Sequence, residues 1–139
     1  MNNQNIETIT HQEKVLALII HKDFHVDGVQ FFTPEDFPQQ LGFISHPAGT
    51  IIEAHIHRKI KREVSLTQEV LIVRKGKIQV NLYAADKKYL DSRILTAGDV
   101  MLLTGGGHGY KVLEDLDMIE IKQGPYLGEQ DKIRFQGIE

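Results

Sequence analysis

The chain has 139 residues, 41% apolar and 25% charged, with a formal net charge of −3 and no cysteine. That length suits one domain able to bury a core of its own. The slight acidic balance speaks against a dedicated nucleic-acid binder, whose phosphate contacts need a basic excess, and the missing thiol excludes thiolate catalysis, disulfides and zinc–thiolate sites.

Residues 1–10, MNNQNIETIT, are polar and show neither a basic start nor an apolar run of signal length, so they are read as flexible. The longest apolar run, Val15 to Ile20, is far too short to span a bilayer; no membrane partner and a cytoplasmic location are the expectations. Residues 12–20 are the best helix candidate, but their β-branched side chains suit a strand over 15–21 equally well. Beyond them, short β-like runs alternate with turn signals. They cover residues 29–33, 41–45, 51–57, 63–67, 69–73 and 77–83, and Arg74-Lys75-Gly76 reads as a hairpin turn between the last two. Runs at 89–95, 100–103, 109–113 and 118–122 follow, with Ala97-Gly98-Asp99 as the turn before 100–103. Short strands at roughly 8–12-residue spacing predict an all-β sandwich or barrel. The expected layout is a single domain over 1–139, its barrel at about 29–122 and its tail, 124–139, packed on the body. Phe31, Phe32, Phe37, Phe43, Ile44, Ile51, Leu71, Val73, Ile78, Val80, Leu82, Leu102 and Ile119 are the expected core or interface.

Residues two apart on a strand share a face, so a strand at 51–57 projects His55 and His57 together, with Glu53 and Ile51 beside them. Glu69 shares its face with Leu71 and Val73. His108 follows Gly105-Gly106-Gly107, where the backbone turns freely, and shares a face with Tyr110. Three imidazoles and one carboxylate form a natural ligand set for a divalent first-row metal, with a position left open for water or substrate. Taken singly, each is ordinary. Seven histidines make one His-x-His pair unremarkable, and a lone strand glutamate is usually solvated; the joint arrangement is the signal. Lys59 and Lys61 fall on the ligand face if the chain stays extended, and could clamp a substrate carboxylate or phosphate. The plainer reading, which we prefer, makes Arg58, Lys59, Lys61 and Arg62 the solvated charges of a hairpin. Tyr110 is a candidate proton donor, against the commoner role of a packed tyrosine with its hydroxyl satisfied. Gln68, Tyr83, Glu120 and Lys122 are minor candidates.

The run of Gly49, five residues, His55-Ile56-His57, then Glu69, six residues and Gly76 resembles the first motif of the cupins. The stretch GDVMLLTGGGHGYKV from Gly98 resembles their second, and the resemblance covers about residues 41–122. It implies a double-stranded β-helix, a jelly-roll barrel, holding a metal on His55, His57, Glu69 and His108. Eleven residues separate His57 from Glu69, where the family has three or four. Glu63 is the alternative ligand, but only Glu69 is followed by a glycine at the right distance; residues 58–68 then form an extended hairpin or flap. Thr104 stands where the family usually has proline, and the asparagine that often follows the histidine is absent. The resemblance implies a small metal-dependent enzyme using Fe, Mn, Ni or Zn on a small polar substrate, a sugar or carboxylate. Dioxygenase, isomerase, epimerase and lyase chemistry all remain open, with Tyr110 or Lys59 as proton donor or anion clamp, and the expected assembly is a homodimer. The alternative is a non-catalytic carbohydrate-binding module with a structural metal or none.

Overall fold

A computed structural model of the protein describes residues 5–139, and strand accounts for 47% of it against 4% helix. The order is β1 (Ile6–His11), β2 (Lys14–Ile20), β3 (Gly28–Phe31), β4 (Gly42–Ser45), β5 (Glu69–Tyr83), β6 (Tyr89–Thr96), β7 (Val100–Leu103) and β8 (Gly107–Lys122), with one turn of 3-10 helix at Gly128–Asp131. The chain forms two compact units, one of residues 5–24 and 66–139, the other His25–Ser65.

The larger unit is a curled antiparallel sheet, a half-barrel, with strands in the order β1-β2-β7-β5-β6 and β8 added along β5. Its centre is set by apolar runs that pair on both sides. Residues Ala17 to Ile20 of β2 lie between β1 and β7, and all four are buried. Ile9, Ala17, Ile19, Leu71, Val73, Ile78, Val80, Leu82, Leu95, Met101 and Leu103 form one apolar cluster. At roughly 2 kcal/mol for each fully buried large aliphatic side chain, this cluster is the main favourable term in the unit's stability.

The curl comes from a corner in β5. Residues 69–73 and 77–83 are not two arms of a hairpin, as the turn signal at Arg74-Lys75-Gly76 suggests; both belong to one strand, and both pair with β8. The runs expected at 109–113 and 118–122 are likewise one strand, β8. Gly76 has φ +87, and a Cβ there would stand 1.9 Å from the carbonyl oxygen of Asp115. Only glycine tolerates both the backbone angle and the close approach of β8. Register shifts between Val73 and Ile78 insert an extra step, as a β-bulge does. The buried positions accordingly change from odd, Leu71 and Val73, to even, Ile78, Val80 and Leu82.

Two turns lock the sheet. Asp99, buried behind Gly98, accepts the N–H of Lys22 through Oδ1 at 2.8 Å and that of Thr96 through Oδ2 at 2.8 Å. Thr104 donates its N–H to the carbonyl of Leu16 at 2.9 Å and its hydroxyl to that of Val15 at 2.7 Å. A proline there would have no N–H to give. The tail is held as expected from its composition: Phe135 packs edge-on to Tyr83 at 5.0 Å, and the Ile138 N–H donates to the Tyr83 hydroxyl at 2.9 Å.

The smaller unit holds the β3–β4 ladder, with Gln40 donating to the carbonyls of Pro34 and Phe37, both at 2.9 Å, to tie the intervening loop. Past Gly49 it has no regular structure, and every residue from His46 to Thr67 is exposed.

Several expectations change. Residues 12–20 contain no helix; the strand alternative is correct, as β2. Of the first ten residues, 6–10 lie in β1, paired with β2, while residues 1–4 lie outside the described chain. No strand forms at 51–57 or 63–67: the β-like pattern is there, but among the described residues no neighbouring strand supplies a ladder. Ile51, at 90% exposure, and Phe31, Ile44 and Ile119 are not core.

Candidate functional site

Glu69 opens β5 and His108 stands near the start of β8, opposite Leu82. Thirteen positions of straight strand between Glu69 and Leu82 would span ~43 Å. Instead the corner at Gly76 curls the ladder until His108 Nε2 lies 3.1 Å from Glu69 Oε2. Tyr110, two residues on, stacks on His108 with ring centroids 5.4 Å apart and directs its hydroxyl to Glu69 Oε2 at 3.4 Å. From the other end of β8, Lys122 stands opposite Glu69 and Glu120 opposite Leu71. A polar group of two carboxylates, an imidazole, a phenol and an ammonium thus caps one end of the inner face, whose remainder is Leu71, Val73, Ile78, Val80 and Leu82.

The electrostatics separate the two carboxylates. The hydrogen bond from His108 holds Glu69 down to about 2, against the opposing effect of burial. Glu120 goes the other way: burial raises it, and the hydrogen bond and negative charge of Glu69 add to the rise. Tyr110 is 40% exposed as a residue, yet burial around its phenol, then the charges of Glu69 and Glu120, push it well above the usual tyrosine range. It is therefore a hydrogen-bond donor at neutral pH and not a base.

His55 and His57 belong to the smaller unit. They do not project together from a strand, since none forms there, but their rings still meet edge-on at 5.1 Å. His55 Nδ1 lies 3.0 Å from the Glu53 carbonyl oxygen. A carbonyl can only accept, so Nδ1 carries a proton, and in the neutral ring the lone pair is then on Nε2. Lys59 lies in the exposed stretch, with no ion pair among the described residues.

The ligand types can be tested against these geometries. The 3.1 Å between Glu69 Oε2 and His108 Nε2 is the length of a direct hydrogen-bonded pair; for both atoms to bind one ion, Nε2 must give up its proton. The free Nε2 of His55 is of the right kind as well. Within either unit, no group of three or more histidine, aspartate or glutamate side chains is placed to hold an ion among the described residues.

No protein-family profile matches the chain, and no curated protein or solved structure matches it either.

One polar cluster had no signal in the sequence. Glu7 accepts from His21 Nε2 and from Arg93 Nε, both at 2.8 Å, and Arg93 continues to Asp91 at 2.8 Å. Its members come from β1, the end of β2 and β6 and share no motif. An open cleft of about 330 Å³ lies beside it, lined by His21, Lys22, Asp23, Thr96 and Asp99. No helix among the described residues is long and apolar enough to cross a membrane.

Proposed function

We propose that the protein is a metal-dependent enzyme of the cupin kind, with a jelly-roll barrel to which the half-barrel contributes, acting on a small polar substrate, a sugar or carboxylate. The observation that carries this reading is the meeting of Glu69 and His108. They are 39 positions apart in the chain and stand 3.1 Å apart in space, close enough to share an ion once His108 Nε2 gives up its proton. The resemblance assigns the other two ligand positions to His55 and His57. A divalent ion of the Fe, Mn, Ni or Zn kind, bound there, supplies Lewis-acid polarisation of a substrate oxygen. The chain's own contribution is to orient and protonate. Tyr110, held in its protonated form, donates a hydrogen bond beside the carboxylate. Glu120, pushed upward by burial and then by Glu69, is the group best placed to carry an exchangeable proton.

The test is elemental analysis of protein purified without added metal, followed by calorimetric titration of chelator-treated protein with Mn(II), Fe(II), Ni(II) and Zn(II). A near-stoichiometric transition metal is the expected result. His108→Ala and the His55→Ala/His57→Ala pair should each weaken binding at least 100-fold while leaving the far-ultraviolet dichroism unchanged. Oxygen uptake with a panel of carboxylates and keto-sugars then separates oxygenase from isomerase chemistry. A chain that binds no metal and yet binds sugars tightly overturns the enzyme reading and leaves a carbohydrate-binding module.

A further inference from the structure

Past Gly49 the smaller unit sets Ile51, Ile52, Ile56, Ile60 and Val64 in solvent, with Ile56 at 93% exposure. Contiguous exposed apolar groups mark a surface that meets another molecule or a membrane. Interleaved with them is the block Arg58-Lys59-Ile60-Lys61-Arg62, and none of its four cations has an ion pair among the described residues. Within residues 46–67 the acids are Glu53 and Glu63, so this segment carries a formal +2 while the whole chain carries −3. It is a basic island on an acidic molecule.

Position parity gives the segment two distinct faces. Wherever it is extended, even-numbered residues share one side and odd-numbered residues the other. His55, His57 and Lys59 fall on the odd side. Ile52, Ile56, Arg58, Ile60, Arg62 and Val64 fall on the even side, so aliphatic groups alternate with guanidiniums and no proposed metal ligand lies among them.

The chemistry of the even side selects among anionic partners. Single-stranded nucleic acids are held by bases along the phosphates together with aromatic rings on which the nucleobases stack, and residues 46–67 contain no Phe, Tyr or Trp. The boundary of an anionic bilayer asks for what this side carries: cations at the level of the headgroups and aliphatic side chains just beneath them. The rest of the chain, net acidic, is repelled by the same surface and so turns the basic segment toward it. No apolar run of the sequence is long enough to cross a bilayer, but a contact lying on the surface needs no span.

We propose that residues 51–64 are a docking contact for an anionic phospholipid surface, with Arg58 and Arg62 on the headgroup phosphates and Ile56, Ile60 and Val64 inserted between them. This inference goes beyond the metal reading and does not rest on it, and the variants that test it leave His55, His57 and Lys59 unchanged.

Co-sedimentation of the full chain with phosphatidylcholine vesicles, with and without phosphatidylserine, measures the contact. Binding is expected only where phosphatidylserine is present, and it should weaken as salt rises. Each base near an anionic surface contributes about fivefold to binding, so Arg58→Glu/Arg62→Glu should weaken it by roughly 25-fold or more, whereas Arg58→Lys/Arg62→Lys should keep it. Ile56→Ser/Ile60→Ser should also lose binding. All these side chains are exposed and lie in no strand ladder, so the far-ultraviolet dichroism of each variant should match the parent. The chain has no tryptophan, and the emission of Ile60→Trp should therefore report insertion by moving to shorter wavelength when phosphatidylserine vesicles are added. No binding to those vesicles, binding indifferent to phosphatidylserine, or an unmoved tryptophan emission overturns the proposal. So does binding that survives the isoleucine replacements and is matched by single-stranded RNA, which would make the block a general polyanion site.

Discussion

Replacing Gly76 with alanine attacks the feature on which the candidate site depends. The left-handed backbone at φ +87 costs a residue with a Cβ about 1–2 kcal/mol. The new methyl would also stand 1.9 Å from the Asp115 carbonyl oxygen, well inside any tolerable contact, so β8 must move outward by more than an ångström. That movement strains the ladder around Lys75–Asp117 and Lys77–Glu114, where each lost hydrogen bond is worth about 1 kcal/mol. The sum is about 3–5 kcal/mol, a large part of the 5–15 kcal/mol that typically separates folded from unfolded chains. Gly128→Ala is the control: its φ is +64, but a Cβ there meets nothing within 4 Å, so only the backbone cost of about 1–2 kcal/mol remains. Urea unfolding of the two variants beside the parent, read from midpoints at equal slope, measures the difference. If Gly76→Ala costs no more than Gly128→Ala, the corner is not a tight crossing, and the account of how Glu69 reaches His108 fails with it.

The Glu69–His108 contact has a pH signature in metal-free protein. Glu69 is held to about 2 from an ordinary 4.5, so its contribution is complete above pH 4.5 and lost as pH falls towards 2. That depression corresponds to at most roughly 3 kcal/mol, which the upward push on Glu120 reduces. Glu69→Gln should therefore be less stable than the parent at pH 7 by less than about 3 kcal/mol, with the gap closing between pH 4.5 and 2; a gap that is constant with pH in denaturant titrations would show that the charge is not what stabilises the pair. Asp99→Asn keeps the shape of the buried side chain but turns an NH2 group toward a backbone N–H at either Lys22 or Thr96. It should lower stability by about 1–3 kcal/mol, and an unchanged melting temperature would refute the role given to that turn.

Most strands were legible because alternation and turn residues are local signals. The pairing was not. Arg74-Lys75-Gly76 looks like a hairpin turn from its composition, and nothing local reveals that the glycine instead lets one strand pass a corner under Asp115. The same limit explains residues 51–57, whose alternating pattern is real but whose ladder depends on a neighbour that no local pattern names. In the site, Glu69 and His108 were readable from motif spacing, and the structure brings them together. Glu120 was only a minor candidate, since its place beside Glu69 follows from the β5–β8 register. The core reading favoured phenylalanines around 31–43 and passed over Leu18, Ile19 and Met101, which are buried because β2 and β7 are interior strands, and Leu95 of β6, which packs into the same apolar cluster.

The pairing of β2 with β7 also has a consequence during synthesis. Ala17 meets Leu103, so 86 positions must be added after Ala17 before its partner exists. At about 5–20 residues per second, a ribosome needs roughly 4–17 s for that stretch. Through this interval LALII, from Leu16 to Ile20, can pair only with β1 and offers its other side to any nascent chain nearby. The protein's hazard is therefore greatest before it is finished, and a holding chaperone that covers this segment should raise its yield more than any stabilisation of the completed sheet.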